Sequence, residues 1–318
     1  MNIYIDGHCD TLTCAYDDKR TIEDLKYDFN LSDAKYISEK NKIPIIQLMA
    51  TFVNPKFQDG FGRATEVIDY NLKNIKEELI IKNTENLKHI IREKLLGVIL
   101  TIENGKAIED NLNNIDILYE KGIRLMSINW NEDNLLGTGA LTNTKLGLTK
   151  LGIEYIKKLE EKNIIIDISH SSEKTFWDVI KNTKKPIVAT HSCCYEICRH
   201  PRNLKNEQIK KIAERKGIIG ICLCSSFLKN NGRADVQDVI THIKHIINLE
   251  GDDFVGLGTD FDGVEEEHKL ADIKKLKDMN ILVENLAKRA FNKRTIDKIM
   301  GENWYRVINE NLEVTNHS

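Results

Sequence analysis

Six residues of the types that bind divalent metals or transfer protons each follow a short apolar stretch of the sequence. These are His8 and Asp10 after NIYIDG, Glu103 after LGVILTI, His170 after NIIIDIS, His191 after PIVAT and Asp260 after FVGLGT. His8 and Asp10 are two residues apart, so their side chains leave the same face of an extended chain and can hold one metal. With Glu103 and the other two histidines they make five nitrogen and oxygen ligands, which suits two metals that share a carboxylate and a bridging water. The pattern predicts a metal-dependent hydrolase.

These residues can converge if their strands are parallel and end on the same face of a barrel. We predict eight strands: one that leads into His8, and others at 43–53, 96–103, 123–130, 163–170, 186–191, 217–224 and 254–259. Helical runs between them include 64–83, 112–121 and 149–162. The strands are nearly continuous apolar runs, which is typical of a parallel sheet covered on both faces. We therefore expect an α/β fold, a single-domain (β/α)8 TIM-type barrel over residues 1–318 with the metal site at the C-terminal face of the strands.

Other polar residues near the predicted site suit further roles in the reaction. Asp260 is not needed as a metal ligand and can accept a proton from water, with Asp262 as the rival for that role. The loop RHPRN offers Arg199 and Arg202, and an arginine there can grip a substrate carboxylate through a bidentate pair. His242 lies in the helical pattern VQDVITHIKHIINL and is interpreted as a residue of the helix surface or the edge of the core.

Composition excludes several classes of protein. The 318 residues are 41% hydrophobic and 30% charged with a formal net charge of -3, an ordinary globular balance without the basic blocks that bind nucleic acid. No window approaches the roughly 18 apolar residues of a membrane span, and no export signal precedes His8, so we expect a cytoplasmic protein without a membrane partner. The seven cysteines form no pair of CxxC motifs, and we interpret them as reduced, buried thiols.

Seven motifs together resemble the renal or membrane dipeptidase family of binuclear zinc peptidases. They are DGHCDT (6–11), TIENG (101–105), the stretch from GLT to DISHSS (147–172), PIVATHS (186–192), HPRNL (200–204), GLGTDFDG (256–263) and GENWYRV (301–307). The resemblance spans nearly the whole chain. It implies a homodimer that hydrolyses small dipeptides with two Zn²⁺ ions, although other divalent metals could serve.

The resemblance also implies roles for individual residues. His8 and Asp10 would hold one zinc, His170 and His191 the other, and Glu103 would bridge them. Asp260 would be the acid and base of the reaction. Arg202 would anchor the C-terminal carboxylate of the dipeptide.

The fourth strand departs from the family pattern. Where the family has LTHN, whose histidine helps to polarise the scissile carbonyl, this chain reads INWN with Trp130 in the histidine position. An indole N–H can donate a hydrogen bond but cannot become cationic, so oxyanion stabilisation could pass to the metals, Asn129 or Asn131. Trp130 and Asn131 therefore join Arg202 and Asp260 as predicted substrate-binding residues. Two alternatives stay open: a metal-dependent amidohydrolase acting on N-acyl amino acids or other small amides, and a catalytically weakened barrel.

Overall fold

The computed structural model describes residues 2–144 and 146–312. Eight strands in these ranges form a closed barrel in which neighbours in sequence pair in parallel and β8 returns to β1. The strands are β1 (Tyr4–Cys9), β2 (Ile45–Phe52), β3 (Leu96–Glu103), β4 (Ile123–Ser127), β5 (Ile165–Asp167), β6 (Ile187–Ala189), β7 (Ile218–Ile221) and β8 (Val255–Leu257). The predicted (β/α)8 fold is confirmed: seven strands lie inside their predicted ranges, and the first contains His8.

Helices surround the barrel and connect its strands. They are α1 (Thr11–Asp17), α2 (Leu31–Asn41), α3 (Gly60–Leu72), α4 (Thr84–Glu93), α5 (Asn113–Glu120), α6 (Lys150–Glu161), α7 (Glu173–Asn182), α8 (Asn206–Glu214), α9 (Ser225–Leu228), α10 (Val236–Glu250), α11 (Asn280–Lys288), α12 (Lys293–Asp297) and α13 (Asn303–Leu312). Polar side chains begin several of them; the Thr149 hydroxyl, for example, accepts a hydrogen bond from the Gly152 backbone at 3.0 Å ahead of α6. Among the described helices, none is long and apolar enough to cross a membrane.

The single helix predicted over 64–83 is wrong in its second half. Helix α3 ends at Leu72, a 3₁₀ turn covers Glu77–Leu79, and the chain is extended by Ile80. Ile80 forms a parallel bridge with Val98 of β3, and the Ile81 backbone donates to the Val98 carbonyl at 2.8 Å. A continuous helix could not make this pairing. The apolar spacing persists past Leu72 because residues such as Ile75 pack on the core from a turn rather than from a helix.

The C-terminal segment packs on the barrel with one large aromatic residue. Trp304 of α13 is fully buried, and its indole N–H donates to the Leu257 carbonyl at 2.8 Å. Gly7 in β1 makes room for this ring, since a Cβ there would lie 2.3 Å from the Trp304 ring. A π-helical turn (Lys298–Glu302) precedes α13, and its Gly301 approaches Ile3 and Ile5 at the start of β1. The start of β1 is thereby covered, and the other ends of the strands carry the polar residues described next.

Candidate metal centre

The barrel brings together the five predicted ligands and Asp260. Each lies at the C-terminal end of a strand or within three residues beyond it: His8 and Asp10 at β1, Glu103 at β3, His170 after β5, His191 after β6 and Asp260 after β8. The five predicted ligands are buried, and Asp260 is partly exposed. Two of these six residues have left-handed backbone conformations that L-residues rarely adopt, with φ of +67° at His170 and +61° at Asp260. Such strain, typically about 1–3 kcal/mol per residue, concentrates at functional sites.

Glu103 lies between the histidines. Its Oε1 is 2.9 Å from His170 Nε2 and 3.6 Å from His191 Nε2, while its Oε2 is 3.7 Å from His8 Nε2. The two oxygens of one carboxylate therefore face two groups of ligands. This is the position that a bridging carboxylate between two cations requires.

Carboxylates surround His8 on the side facing β8. Its Nε2 is 3.4 Å from Asp10 Oδ2 and 3.8 Å from Asp260 Oδ1. Ligand atoms of His8, Asp10 and Asp260 all lie within 4.8 Å of one another, and so do those of His8, Glu103 and His191. Each set is compact enough to surround one ion, but both use the same His8 nitrogen, so they are not two separate sites, and His170 belongs to neither set.

The nitrogens of His170 and His191 show that a cation fits here. His170 Nδ1 lies 2.8 Å from Asn131 Oδ1, an acceptor, so the imidazole proton belongs on Nδ1. Its Nε2 then presents a lone pair to His191 Nε2 at 2.8 Å and to the Glu103 carboxylate. A divalent cation is the natural partner of such converging lone pairs. His8 Nε2 and Asp10 Oδ1 support the same conclusion, because among the described residues these two buried atoms have no hydrogen-bond partner.

Burial and neighbouring charges set opposite charge states within the centre. Burial lowers the pKa of both His170 and His191 well below the usual value, so both imidazoles are neutral, as ligands must be. Burial also acts to lower the pKa of His8, but the charges of Glu103 and Asp10 outweigh it and raise that pKa to about 10. The pKa of Glu103 is raised well above its usual value by burial and by the charge of Asp10.

Asp260 and Asp262 differ in what their carboxylates contact. Asp262 accepts hydrogen bonds from the Thr11 hydroxyl at 2.6 Å and from the Asp28 backbone at 2.8 Å, so it ties the chain after β8 to the segment around α1. Asp260 instead faces His8, with the Cys222 thiol 3.6 Å from its second oxygen. Burial, with the charge of Asp10, raises the pKa of Asp260 to about 7. These contacts favour Asp260 over its rival as a group that exchanges protons with a substrate.

A cavity of about 460 Å³ opens from the centre, and the rings of Phe52, Trp130 and Phe227 line it together with mainly polar residues. The Trp130 ring lies with its centroid 5.3 Å from that of Phe52 and 5.9 Å from that of His170. Asn131, expected to bind substrate, also lines this cavity, and its side-chain oxygen contacts His170 Nδ1 and orients that imidazole. Trp130 and Asn131 thus both border the cavity, and Asn131 also supports a predicted metal ligand.

Arg202 is buried beside the centre with spare hydrogen-bonding capacity. One guanidinium nitrogen donates to the His191 carbonyl at 3.0 Å and another lies 3.5 Å from the Ser192 hydroxyl. Among the described residues its Nε has no partner, and burial lowers its pKa. The side chain lines a second cavity of about 490 Å³, which Ser171 and Trp177 also border. Arg199, the other arginine of the loop, is exposed.

The spacing of ligands does not single out two buried aspartates near the centre, Asp6 and Asp167. Asp6 and Asp167 precede His8 and His170 by two and three residues and hydrogen-bond to threonines on neighbouring strands. The sequence does carry a signal for them: each aspartate lies in an apolar strand shortly before a predicted ligand histidine. Because an unpaired buried carboxylate is costly, such an aspartate must accept hydrogen bonds from a neighbouring segment.

Comparison with known proteins agrees with this geometry. The model of the membrane dipeptidase family, peptidase family M19, matches residues 2–318. The chain belongs to the membrane dipeptidase family. It is therefore a metallodipeptidase whose substrates are small peptides, and the family resemblance of its motifs is confirmed.

Two relatives of this M19 chain share about a third of its residues or fewer over the matched segment. An uncharacterised protein from the pqqA 5′ region of Klebsiella pneumoniae is 32% identical over 226 residues, covering 68% of this chain and 82% of the relative. An uncharacterised dipeptidase of Schizosaccharomyces pombe is 28% identical over 285 residues, 82% of this chain and 68% of its own.

Solved structures share the fold over nearly the full chain. A dipeptidase described as an M19 metallopeptidase has a TM-score of 0.87 at 21% identity, with 98% of this chain and 99% of that chain covered. A metallopeptidase of Rhodobacter sphaeroides, liganded with a phosphinate mimic of the dipeptide L-Ala-D-Ala, has a TM-score of 0.86 at 21% identity, with 96% and 98% covered.

Proposed function

We propose that residues 1–318 form a single dipeptidase domain that uses two zinc ions to hydrolyse the peptide bond of small dipeptides into two amino acids. His8 and Asp10 would hold one ion, His170 and His191 the other, and Glu103 would bridge them. The observation that carries the proposal is the Glu103 carboxylate, which faces His8 with one oxygen and the His170 and His191 pair with the other. When bound, such a pair of cations supplies Lewis acidity at the carbonyl and lowers the pKa of a water.

Asp260 would transfer the protons of this reaction. Its carboxylate faces His8 and lines the 460 Å³ cavity, and in the metal-free centre burial and the charge of Asp10 raise its pKa to about 7. In the proposed cycle it takes the proton of the attacking water and delivers it to the leaving amine.

Arg202 would select substrates with a free carboxylate. Its guanidinium donates a hydrogen bond to the backbone carbonyl of His191, so the proposed carboxylate anchor is held directly beside a proposed metal ligand. The unpaired Nε and the adjoining cavity leave a donor and space for a carboxylate. A charge-assisted hydrogen bond of this kind is short and strong.

A related amidohydrolase activity on N-acyl amino acids is the second candidate. Trp130 favours it, because its ring, and not a cationic imidazole, walls the cavity beside His170. An apolar wall suits an acyl group at least as well as a charged α-amino group. The cytoplasmic location and the homodimer stay predictions.

The experiment is a substrate panel on purified protein as isolated, after chelation and after zinc is added back. The panel contains L,L- and L,D-dipeptides, because the Rhodobacter relative binds a mimic of L-Ala-D-Ala, together with the matching N-acetyl amino acids. We expect dipeptide hydrolysis that chelation abolishes and zinc restores. Faster turnover of the N-acetyl compounds would select the amidohydrolase, and zinc-loaded protein without turnover would select the weakened barrel.

A further inference from the structure

Asp167 binds the next strand of the barrel through a compact set of hydrogen bonds. Its Oδ1 accepts from the backbone N–H groups of Ser169 at 2.9 Å and Thr190 at 3.0 Å. Its Oδ2 accepts from the Thr190 hydroxyl at 2.6 Å. Thr190 directly precedes His191, so the residues that fix the end of β5 also fix the backbone of a predicted ligand. We name this arrangement the Asp167 clasp.

Asp6 forms the same arrangement on the other side of the barrel. Its Oδ1 accepts from the Thr259 backbone at 2.8 Å, and its Oδ2 accepts from the Thr259 hydroxyl at 2.6 Å. Its Oδ1 also lies 3.5 Å from the His8 backbone nitrogen. Thr259 directly precedes Asp260, so this Asp6 clasp links β1 to the proton-transferring carboxylate after β8.

The two clasps differ in what reaches the threonine oxygen. Thr190 Oγ1 lies 2.9 Å from His191 Nδ1. Because this hydroxyl gives its proton to the Asp167 carboxylate, it can only accept from the imidazole, so the proton of neutral His191 belongs on Nδ1. In the Asp6 clasp, Thr259 Oγ1 is approached instead by the Phe261 backbone N–H at 3.3 Å. Among the described residues, no imidazole nitrogen contacts Thr259 Oγ1.

We propose that Asp167 is a positioning residue that selects, through Thr190, the tautomer of His191 whose Nε2 is free to bind metal. The same Nε2 lies 2.8 Å from His170 Nε2 and 3.6 Å from Glu103 Oε1, so a proton on it would point into the centre. The inference rests on the proposed function only in assigning His191 as a ligand. The position of the imidazole proton is a property of the metal-free chain and can be measured without catalysis.

Replacing Asp167 by asparagine should reverse the direction of the hydrogen bonds. The amide oxygen must stay with the two backbone N–H groups, so the amide nitrogen faces Thr190 Oγ1 and donates to it. The hydroxyl of Thr190 then has two acceptors within reach, Ser169 Oγ at 3.3 Å and His191 Nδ1 at 2.9 Å. We expect its proton to turn to the nearer His191 Nδ1, so that the imidazole proton moves to Nε2. Asp6→Asn is the matched control, because the Thr259 hydroxyl can turn to the His8 carbonyl at 3.4 Å without changing any imidazole.

The test measures tautomer and metal affinity on the full-length chain. Long-range ¹H–¹⁵N spectra of histidine-labelled, metal-free protein report which nitrogen carries the proton, with His191 assigned through His191→Gln. We expect the Nδ1–H form in wild type and Asp6→Asn, and the Nε2–H form in Asp167→Asn. Competition with a chelator should show the affinity for zinc about 10–100-fold lower in Asp167→Asn, the usual range for loss of such a partner, and within about threefold of wild type in Asp6→Asn.

A second pair of variants protects the test against misfolding. Thr190→Ser keeps the hydroxyl and should retain the wild-type tautomer and affinity, whereas Thr190→Val removes it and should lose both. An unchanged tautomer in Asp167→Asn and Thr190→Val, or equal losses in the two asparagine variants, would overturn the proposal. If wild-type protein binds no zinc while Asp167→Asn still shows the tautomer change, the proposed function is contradicted and the role of the Asp167 clasp stands.

Discussion

The histidines at the mouth of the barrel and His242 in α10 are all buried, yet their nitrogens have different surroundings. Because His242 is buried, the interpretation of it as a residue of the helix surface or the edge of the core was wrong. Both nitrogens of His242 are paired with backbone: Nδ1 accepts from Cys194 and Nε2 donates to the Leu228 carbonyl, each at 3.0 Å. His8 Nε2 has no hydrogen-bond partner among the described residues, and its nearest carboxylate oxygen, on Asp10, lies at 3.4 Å. Burial therefore does not distinguish the structural histidine His242 from the predicted ligand His8. The partners of the nitrogens do.

Charge makes the same distinction. Burial lowers the pKa of His242 to about 4, so it is a neutral packing residue at physiological pH. His8 is just as inaccessible, but the charges of Glu103 and Asp10 outweigh burial and raise its pKa to about 10 in the metal-free centre. A cation placed among those carboxylates would replace the proton. The comparison therefore predicts that His8 serves metal binding and His242 serves stability.

The largest expected effect comes from replacing these two histidines by glutamine. His8→Gln should lower kcat/KM by at least about 10³-fold, since a lost metal ligand removes several kcal/mol of transition-state stabilisation. His242→Gln should instead lower the free energy of unfolding by about 1–3 kcal/mol, because the Cys194 N–H loses its acceptor.

Steady-state kinetics and urea unfolding of both variants measure this contrast. His242→Gln should stay within about threefold of wild type in kcat/KM, as expected for a residue outside the chemistry. Loss of zinc from His242→Gln, or full activity in His8→Gln, would break the distinction between the two regions.

Acid should destabilise the protein through His242. The group is neutral in the native state down to a pKa of about 4, whereas in the unfolded chain it takes up a proton near 6.5. Its contribution to stability is therefore complete above pH 6.5 and is lost as pH falls toward 4, by about 3 kcal/mol in total.

For His8 in metal-free protein the sign is opposite. Its pKa is raised, so its contribution is present below pH 6.5 and fades as pH rises toward 10. Urea unfolding between pH 4 and 8, with His242→Gln as reference, isolates the first effect. An identical pH dependence in wild type and variant would remove His242 as its source.

The residues at the strand ends were predictable because all parallel strands of a barrel end on the same face. An apolar run followed by His191 or Glu103 needs no knowledge of its partners, since every parallel strand delivers its last residue to the same face. The contact of Asn131 with His170 was not predictable, because it depends on how the loop after β4 folds back. The break after Leu72 was hidden for a similar reason: pairing of Ile80 with β3 is a long-range contact that helical spacing cannot reveal.

Arg202 is a further buried group with a nitrogen, Nε, that has no hydrogen-bond partner among the described residues. Arg202→Met should raise KM about 10–100-fold with little change in kcat, because a hydrogen bond to a charged group contributes about 1.5–3 kcal/mol. Exposed Arg199 in the same loop supplies the control, and Arg199→Met should leave KM unchanged. Kinetics on a dipeptide and on its C-terminal amide measure the effect, which should vanish for the amide. Equal KM increases for both substrates would show that Arg202 does not read the carboxylate.

Replacing Trp130 should change kcat least. The variant tests whether this lining residue of the cavity takes part in catalysis. Trp130→Phe keeps an aromatic ring near Phe52 and His170 but removes the indole N–H together with the second ring of the indole. If the metals polarise the carbonyl, kcat should fall less than about fivefold, whereas loss of an oxyanion donor costs about 10²-fold or more. We expect the smaller change, measured at saturating dipeptide so that altered binding does not enter. A hundredfold loss would move Trp130 from the wall into the catalytic group and make the indole the substitute for the family histidine.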